Sequence, residues 1–411
     1  MRTCLTTFVV LLAVGLPSGL CQAADWPHWR GPNYDGSSDE TGLPESWSKT
    51  DQVAWVADLP GQSAATPVIV GDRIFVSSNP KKGQDLLGLC LEAKTGKILW
   101  QEKLGSGKGG KRNTPASCSP VADNKRAYFL YASGDLAAVT NEGKVVWSRN
   151  IAKEYGRFRI MWTYASSPLL FEGKLFVPVI HRASSYLLAV DPETGKTIWK
   201  QGRPTKAKGE SQESYSTPVP YKGNVLVAGG DAVTLHDPAS GREAWRFSYG
   251  NGKNWRLVPT PVVLGDLIWV GRPQKTPAMV INVSSGRPRQ AWTMTGSSAP
   301  DVCSAAAYNH LLFVLDGDRK VLTAWNASGK QVGTARLKGD ALWASPTAAD
   351  GRLYCINKRG GITVLSADAS LKELAAFDMG EKGTYSSIAV SNGRLFLRTP
   401  SRLYCITKGG R

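Results

Sequence analysis

Three short segments of the sequence are its main candidates for a chemical role: two mix aromatic with basic residues and the third is basic. They span residues 157–164 (RFRIMWTY), 253–256 (KNWR) and 111–113 (KRN). Aromatic faces and guanidinium groups can stack on and pair with a planar or anionic ligand. The candidate ligand-binding residues in these segments are Arg112, Arg159, Trp162, Tyr164, Trp255 and Arg256. An alternative is that the aromatic residues only fill space between structural units.

Patterns of catalytic and metal-binding residues are absent from the sequence. The four His include no HExxH pair, and neither a G-x-S-x-G turn nor a G-x-x-x-x-G-K-[ST] phosphate loop occurs. The carboxylates of Glu210, Glu213 and Asp301 do not fall in a calcium-binding motif. No CxxC or adjacent Cys pair is present, and the five Cys beyond residue 24 are interpreted as buried free thiols. The sequence therefore predicts no metal site and leaves the catalytic residues unknown.

The elements that must position the basic and aromatic segments follow from a repeat of about 45 residues. Its first landmark is a Trp, which in most copies follows a turn such as Thr194-Gly195-Lys196. Gly supplies the positive φ of a tight hairpin, and the Trp lies in the strand that follows. The repeated residues, interpreted as structural docking Trp, are Trp55, Trp100, Trp147, Trp199, Trp245 and Trp292.

A second landmark marks the start of a strand in every copy. Positions 67, 120, 168, 218, 261, 305, 346 and 388, mostly Pro, each follow a small or hydroxyl residue and precede an apolar pair. Pro lacks a ladder donor and therefore belongs on an edge strand. Each copy of the repeat is therefore predicted to form a four-stranded antiparallel sheet. The last copy lacks its fourth strand, whereas residues 53–59 supply one near the N-terminus, which predicts an all-β, eight-bladed β-propeller closed by that N-terminal strand.

Charge and the N-terminal residues suggest where the protein acts. The 411 residues contain 50 Lys and Arg against 33 Asp and Glu, a formal net charge of +17, which favours an acidic partner. Residues 1–23 are predicted to be a signal peptide, 24–52 an N-terminal arm and 53–411 the propeller. We expect export to the periplasm or beyond without lipid anchoring, no transmembrane segment, no nucleic-acid partner and a monomeric propeller.

The run A-V-D-P-E-T-G-K-T-I-W at 189–199 resembles the tryptophan-docking repeat of pyrroloquinoline quinone (PQQ)-type eight-bladed propellers. The opening D-W-P-H-W-R-G-P-N at 25–33 is similar to the start of secreted PQQ-like repeat proteins of planctomycete type. The resemblance covers about residues 53–411 and implies the fold more than the activity. The superfamily includes PQQ- and calcium-dependent dehydrogenases and BamB-type scaffolds of outer-membrane protein assembly.

The resemblance and the missing catalytic motifs together favour a non-catalytic, BamB-like binding or scaffold module at the cell envelope, with no cofactor. Its expected partner is an envelope protein or an anionic polymer. Two alternatives stay open: a PQQ-dependent oxidoreductase with calcium, and a protein that binds or processes anionic carbohydrate. In a propeller, the segments that enter each innermost strand converge at the channel mouth. Tyr215, Trp343 and Tyr385 occupy such segments and join the candidate ligand-binding residues.

Overall fold

The computed structural model describes residues 25–80, 84–108, 110, 112–250, 256–272, 276–296 and 298–409. These residues form eight four-stranded antiparallel sheets, which confirms the predicted eight-bladed propeller. The predicted signal peptide, Lys111 and Trp255 lie outside the described residues. Among the described residues, no helix combines the length and apolar character that crossing a membrane requires.

In each of blades 1 to 7 the strands follow one another in sequence from the channel outwards. The strands of blades 1 to 4 are β2 (Val68–Val70), β3 (Arg73–Ser78), β4 (Asp85–Glu92) and β5 (Ile98–Ser106); β6 (Val121–Ala122), β7 (Arg126–Leu130), β8 (Asp135–Thr140) and β9 (Val145–Asn150); β10 (Leu169–Phe171), β11 (Lys174–His181), β12 (Ser184–Val190) and β13 (Thr197–Gly202); and β14 (Val219–Tyr221), β15 (Asn224–Gly229), β16 (Ala232–His236) and β17 (Glu243–Ser248).

The remaining blades repeat this order, and only two short helices are present among the described residues. The strands of blades 5 to 7 are β18 (Val262–Leu264), β19 (Leu267–Val270), β20 (Met279–Asn282) and β21 (Arg289–Thr293); β22 (Ala306–Tyr308), β23 (Leu311–Asp316), β24 (Val321–Asn326) and β25 (Gln331–Arg336); and β26 (Thr347–Ala349), β27 (Arg352–Ile356), β28 (Gly361–Ser366) and β29 (Glu373–Asp378). Helix α1 (Ile151–Tyr155) and a 3₁₀ turn (Gly209–Gln212) lie between blades.

Blade 8 joins the two ends of the propeller. It contains β30 (Ala389–Ser391), β31 (Arg394–Arg398), β32 (Arg402–Thr407) and, as its outermost strand, β1 (Val53–Asp58). Strand β1 pairs antiparallel with β32, with Trp55 opposite Cys405. The prediction that an N-terminal strand closes the ring is therefore confirmed, and this closure removes two open sheet edges.

The repeated Trp residues connect neighbouring blades. The indole of Trp199 donates to the carbonyl of Pro238 at 3.1 Å, and its ring lies against Gly241 of blade 4, where an added Cβ would be 2.6 Å from the indole. Trp55, Trp100 and Trp147 make the equivalent contacts to the next blade. The turn Gly therefore serves two needs, a positive φ and the close approach of the indole.

The N-terminal arm runs into the central channel. Each innermost strand has one edge that its own blade leaves unpaired, and that edge faces the channel. Trp26 exchanges two backbone hydrogen bonds with Ile69 of β2, at 2.8 and 2.9 Å. Further along the arm, the carbonyl of Gly36 accepts from the backbone N–H of Ala348 in β26, also at 2.8 Å. The arm thus crosses from blade 1 to blade 7 and partly fills the channel.

Candidate functional site

A recess with a cavity of about 160 Å³ lies at the end of the channel where the innermost strands begin. The loops that connect one blade to the next converge there, and all eight contribute at least one lining residue. Trp29 of the N-terminal arm also lines the recess. Because the arm occupies the channel beneath, the recess is closed on that side and open at the mouth.

One side of the mouth is aromatic and cationic. The guanidinium carbon of Arg112 lies 4.5 Å from the ring centre of Trp162 and 5.8 Å from that of Trp343. Trp343 also stacks on Tyr385 at 5.5 Å and carries the Lys358 ammonium 4.5 Å from its ring centre. Arg112 forms no ion pair with a described residue. The charge of Arg112 is therefore available to a ligand, while the indole rings hold the guanidinium in place.

The other side of the mouth holds one arginine between two carboxylates. Arg256, which is 5% exposed, binds Asp301 at 2.8 Å and lies 3.8 Å from Glu210. Glu210 also accepts from the indole N–H of Trp162 at 2.7 Å. Burial raises the pKa of Asp301, although Arg256 opposes that rise. These carboxylates hold the loops in place.

Tyr215 and Glu213 fix the loop that carries Trp162. The Tyr215 hydroxyl accepts from the backbone N–H of Trp162 at 3.0 Å and donates to Glu213 at 3.4 Å. Glu213, whose side chain is fully buried, pairs with Arg182 at 2.6 Å and accepts from the N–H of Met161 at 3.0 Å. Burial raises the pKa of Glu213. Glu213 is therefore a positioning residue for the aromatic side of the mouth.

A second depression, the arginine groove, adjoins the recess. Its lining includes Arg157, Arg159 and Arg182 together with Phe158 and Met161, and it encloses about 640 Å³. Met161 is 42% exposed. Arg157 and Arg159 are exposed and pair with no carboxylate among the described residues. This groove joins apolar surface to two uncompensated positive charges.

A ring of hydroxyl residues surrounds the channel at the depth of the recess. Each blade contributes one Ser or Thr immediately before its innermost strand: Thr66, Ser119, Ser167, Thr217, Thr260, Ser304, Ser345 and Ser387. Seven hydrogen bonds run from the backbone N–H of one member to the hydroxyl oxygen of the next, at 2.9 to 3.2 Å. This hydroxyl ring therefore fixes the spacing of the blades around the recess.

The arm is anchored beneath the recess by Arg30, which is fully buried. Its guanidinium donates to the carbonyls of Pro346 and Asp35 at 3.0 Å and also to that of Ala305. Burial lowers the pKa of Arg30 to about 10, so the group stays protonated at neutral pH. Charge-assisted bonds to carbonyls of blades 6 and 7 hold the arm across the channel.

The structure brings most of the predicted ligand-binding residues together. Those that line the recess are Arg112, Trp162, Tyr215, Arg256, Trp343 and Tyr385. Arg159 lines the arginine groove instead, and Tyr164 lies elsewhere, 1% exposed in the core between blades 2 and 3. The sequence analysis missed Trp29 and the hydroxyl ring. A signal for the ring was present, since all eight strand landmarks follow Ser or Thr.

The recess does not fit a PQQ cofactor with its calcium ion. Pockets that enclose a whole small-molecule ligand usually measure about 300 Å³ or more, whereas this cavity measures about 160 Å³. Among the described residues, no group of three His, Cys, Asp or Glu is placed to hold a metal ion. The recess is better matched to one side chain or terminal group of a larger ligand.

Comparisons with known proteins agree with the fold and include proteins of several different functions. The sequence model of a family described as outer membrane protein assembly factor BamB matches residues 39–180 and 183–308. A polyvinylalcohol dehydrogenase from a Pseudomonas species is 25% identical over 238 residues, which cover 47% of this chain and 35% of that protein. The chain spans about a third of the length of the curated dehydrogenases of this kind that it matches.

Two solved structures show how general the fold is. BamB from Moraxella catarrhalis superposes with a TM-score of 0.65 at 14% identity, covering 86% of this chain and 99% of that one. A europium-containing methanol dehydrogenase superposes with a TM-score of 0.71 at 11% identity, covering 93% and 98% of the two chains. At such identities the likeness concerns the fold alone, so the site must distinguish the functions.

Proposed function

The chain belongs to the family described as outer membrane protein assembly factor BamB, and from this premise we propose that it is a non-catalytic binding module of the cell envelope. Its ligand is an acidic segment of a partner protein, bound at the channel mouth. The observation that carries the proposal is the position of the Arg112 guanidinium. It lies over two indole rings at the open mouth of the recess and forms no ion pair with a described residue.

The charged groups of the mouth support binding rather than catalysis. A general base must be within reach of a substrate proton and free to accept it. The carboxylates of Glu213 and Asp301 are instead tied to Arg182 and Arg256. Glu210 likewise accepts from the indole of Trp162. Removing any of these carboxylates would leave a donor of a neighbouring loop without its partner, as expected for groups that position loops.

The arginine groove extends the same surface and favours a polypeptide as the ligand. Arg157 and Arg159 offer charge to carboxylates, while Phe158 and Met161 offer apolar contact beside them. A segment that alternates acidic and apolar side chains would satisfy both, with one acidic group reaching the recess. The net charge of +17 would assist the encounter with such a partner.

The proposal can be tested with a fluorescein-labelled peptide that alternates Glu and Leu. We expect saturable binding, followed by anisotropy, with at least tenfold weaker binding to Arg112→Ala. The matched control is Arg242→Ala, an exposed arginine in the turn before β17, remote from the recess. Equal affinities of the two variants would contradict the proposal, and so would binding of an uncharged Gln-Leu peptide with the same affinity.

The oxidoreductase alternative is supported by the relatives named dehydrogenases. It predicts calcium-dependent quenching of Trp fluorescence by PQQ and reduction of a dye by the loaded protein. The binding proposal predicts neither. A panel of sulfated and uronic-acid glycans at two salt concentrations tests the carbohydrate alternative, because a purely electrostatic contact weakens as salt screens it.

Export belongs to the same proposal. An envelope scaffold must leave the cytoplasm, and residues 1–23 are predicted to direct that step. N-terminal sequencing of protein recovered from the periplasm should begin at Ala24 or Asp25. Recovery of the chain only from the cytoplasm, with Met1 or Arg2 at its start, would contradict this part of the proposal.

A further inference from the structure

We propose that the hydroxyl ring is an anion-binding site that takes one carboxylate group of the ligand. The inference rests on the proposed function, because it names the chemical group that enters the recess. Members of the ring that line the cavity are Thr66, Ser119, Ser167, Thr217, Ser345 and Ser387. Each is at most 5% exposed, so its polar atoms face the cavity or the neighbouring blade rather than bulk water.

The hydrogen bonds between blades determine the polarity of the ring. A hydroxyl group has one O–H donor and can accept through its oxygen. Six of the eight ring residues behave as Ser119 does: its hydroxyl oxygen accepts from the backbone N–H of Thr66, while its own backbone N–H donates to the hydroxyl oxygen of Ser167. No ring hydroxyl donates to another described residue. The free O–H groups therefore make the recess a set of converging donors.

A second observation points to the same kind of ligand. Trp29 lines the recess from below and closes it on that side, so a group that enters from the mouth meets the hydroxyl ring without bulk water beneath it. Arg112 stands at the entrance with no carboxylate bound to it. An enclosed donor without an acceptor is unfavourable, so several donors around one cavity favour a group rich in acceptor lone pairs.

The size and charge of the recess indicate that the bound group is a carboxylate on a side chain or at a chain terminus. A cavity of about 160 Å³ accommodates one carboxylate group but not a whole polypeptide segment. Arg256 partly neutralises Asp301 and Glu210, while a third carboxylate near the mouth, Asp318, accepts from the indole N–H of Trp343 at 3.1 Å. Water could occupy the recess in the free protein, and a charged acceptor would displace it by forming stronger bonds.

One residue of the hydroxyl ring, Ser304, provides a matched control for substitutions at Ser119. Ser304 makes the same bond between blades as Ser119 but does not line the recess. Replacing either by Ala should lower the melting temperature by a similar amount, since each loses an acceptor for a backbone N–H. Only Ser119→Ala should also weaken binding of the Glu-Leu peptide, by about tenfold. Ser119→Thr, which keeps the hydroxyl, should retain most of the affinity.

A competition measured on the unaltered protein avoids any effect of substitutions on folding. Acetate should displace the labelled peptide at constant ionic strength, whereas chloride at equal concentration should not. The inference is overturned if acetate and chloride act alike, or if Ser119→Ala and Ser304→Ala bind the peptide equally well. In that case weaker binding of Arg112→Ala would still support the proposed function. If Arg112→Ala binds normally, the proposed function itself fails.

Discussion

Two arginines, one beneath the recess and one at its mouth, show how the same residue type can either anchor the N-terminal arm or remain available to a ligand. Arg30 enters the channel with the N-terminal arm, is fully buried and donates to three backbone carbonyls. Arg112 lies over indole rings at the mouth and pairs with no described carboxylate. The difference lies in the acceptors nearby: Arg30 meets carbonyls of the arm and of the residues just before two innermost strands, whereas Arg112 meets indole ring faces.

This comparison separates stability from binding. Donors that are satisfied within the protein contribute to folding, and their loss leaves buried acceptors unpaired. Donors that remain free contribute little to folding and are available to a partner. Substitutions in the arm should therefore lower the free energy of unfolding, whereas those at the mouth should lower affinity.

Arg30→Ala should lower the free energy of unfolding by about 4 kcal/mol, because it leaves a cavity and unpaired carbonyls at Pro346 and Ala305. Urea denaturation followed by Trp fluorescence measures the change. Arg30→Met, which keeps much of the volume, should lose less. A loss below about 1 kcal/mol for Arg30→Ala would mean that the arm is not held as described.

Gly36→Ala should destabilise the protein by about 3 kcal/mol. Gly36 has φ 87°, and an added Cβ would lie 1.8 Å from Nη2 of Arg30. Gly42 is a matched control, because it has φ 72° but nothing within 4 Å of an added Cβ. Gly42→Ala should cost only about 1 kcal/mol, the backbone contribution. Equal losses for the two variants would contradict the close packing of Arg30 on Gly36.

Low pH should weaken the anchoring of the N-terminal arm, because unfolding would then allow His28 to become protonated. Burial, together with the charge of Arg30, lowers the pKa of His28 to about 3, from an ordinary value of 6.5. Below pH 6.5 the unfolded chain binds a proton at His28 that the folded protein does not, so stability falls as the pH falls from 6.5 towards 3. Between pH 7 and 5 this amounts to about 2 kcal/mol.

The measurement compares urea denaturation at pH 7 and pH 5. His28→Gln should show a smaller loss of stability over this interval than the unaltered protein, whereas His310→Gln, at an exposed position, should show the same loss. The comparison is made between proteins because His181 and His236 also have pKa values lowered by burial. Parallel losses in all three proteins would refute the assignment to His28.

Arg112→Ala should change the free energy of unfolding by no more than about 0.5 kcal/mol, the smallest of these effects, because Arg112 forms no ion pair with a described carboxylate. The same protein should bind the Glu-Leu peptide at least tenfold more weakly. Urea denaturation and anisotropy on one preparation give both values. A loss of several kcal/mol would show that Arg112 is a structural residue and would end the distinction from Arg30.

Much of the fold could be predicted from the sequence because its signals are local and repeated. A turn Gly followed by a Trp specifies a hairpin and its neighbouring strand, and the unpaired strand at 53–58 indicates closure. The convergence of Arg112, Trp162 and Trp343 could also be anticipated, because every loop that enters an innermost strand ends at the channel mouth. Tyr164 could not be separated from these residues, since local sequence does not show which way a loop side chain points.

The sequence by itself determined the eight blades, the closing strand and the set of loops that surround the mouth, because hairpins and alternating strands depend on neighbouring residues. Only the tertiary structure decided which of these residues remain free. Arg256 and Arg112 both lie in basic loop segments that enter an innermost strand. Arg256 nevertheless forms an ion pair with Asp301 of the next loop, whereas Arg112 forms none with a described residue. Trp29 and the hydroxyl ring likewise become a site only when eight blades and the arm meet. Pairing between residues distant in the chain is set by the geometry of the closed ring.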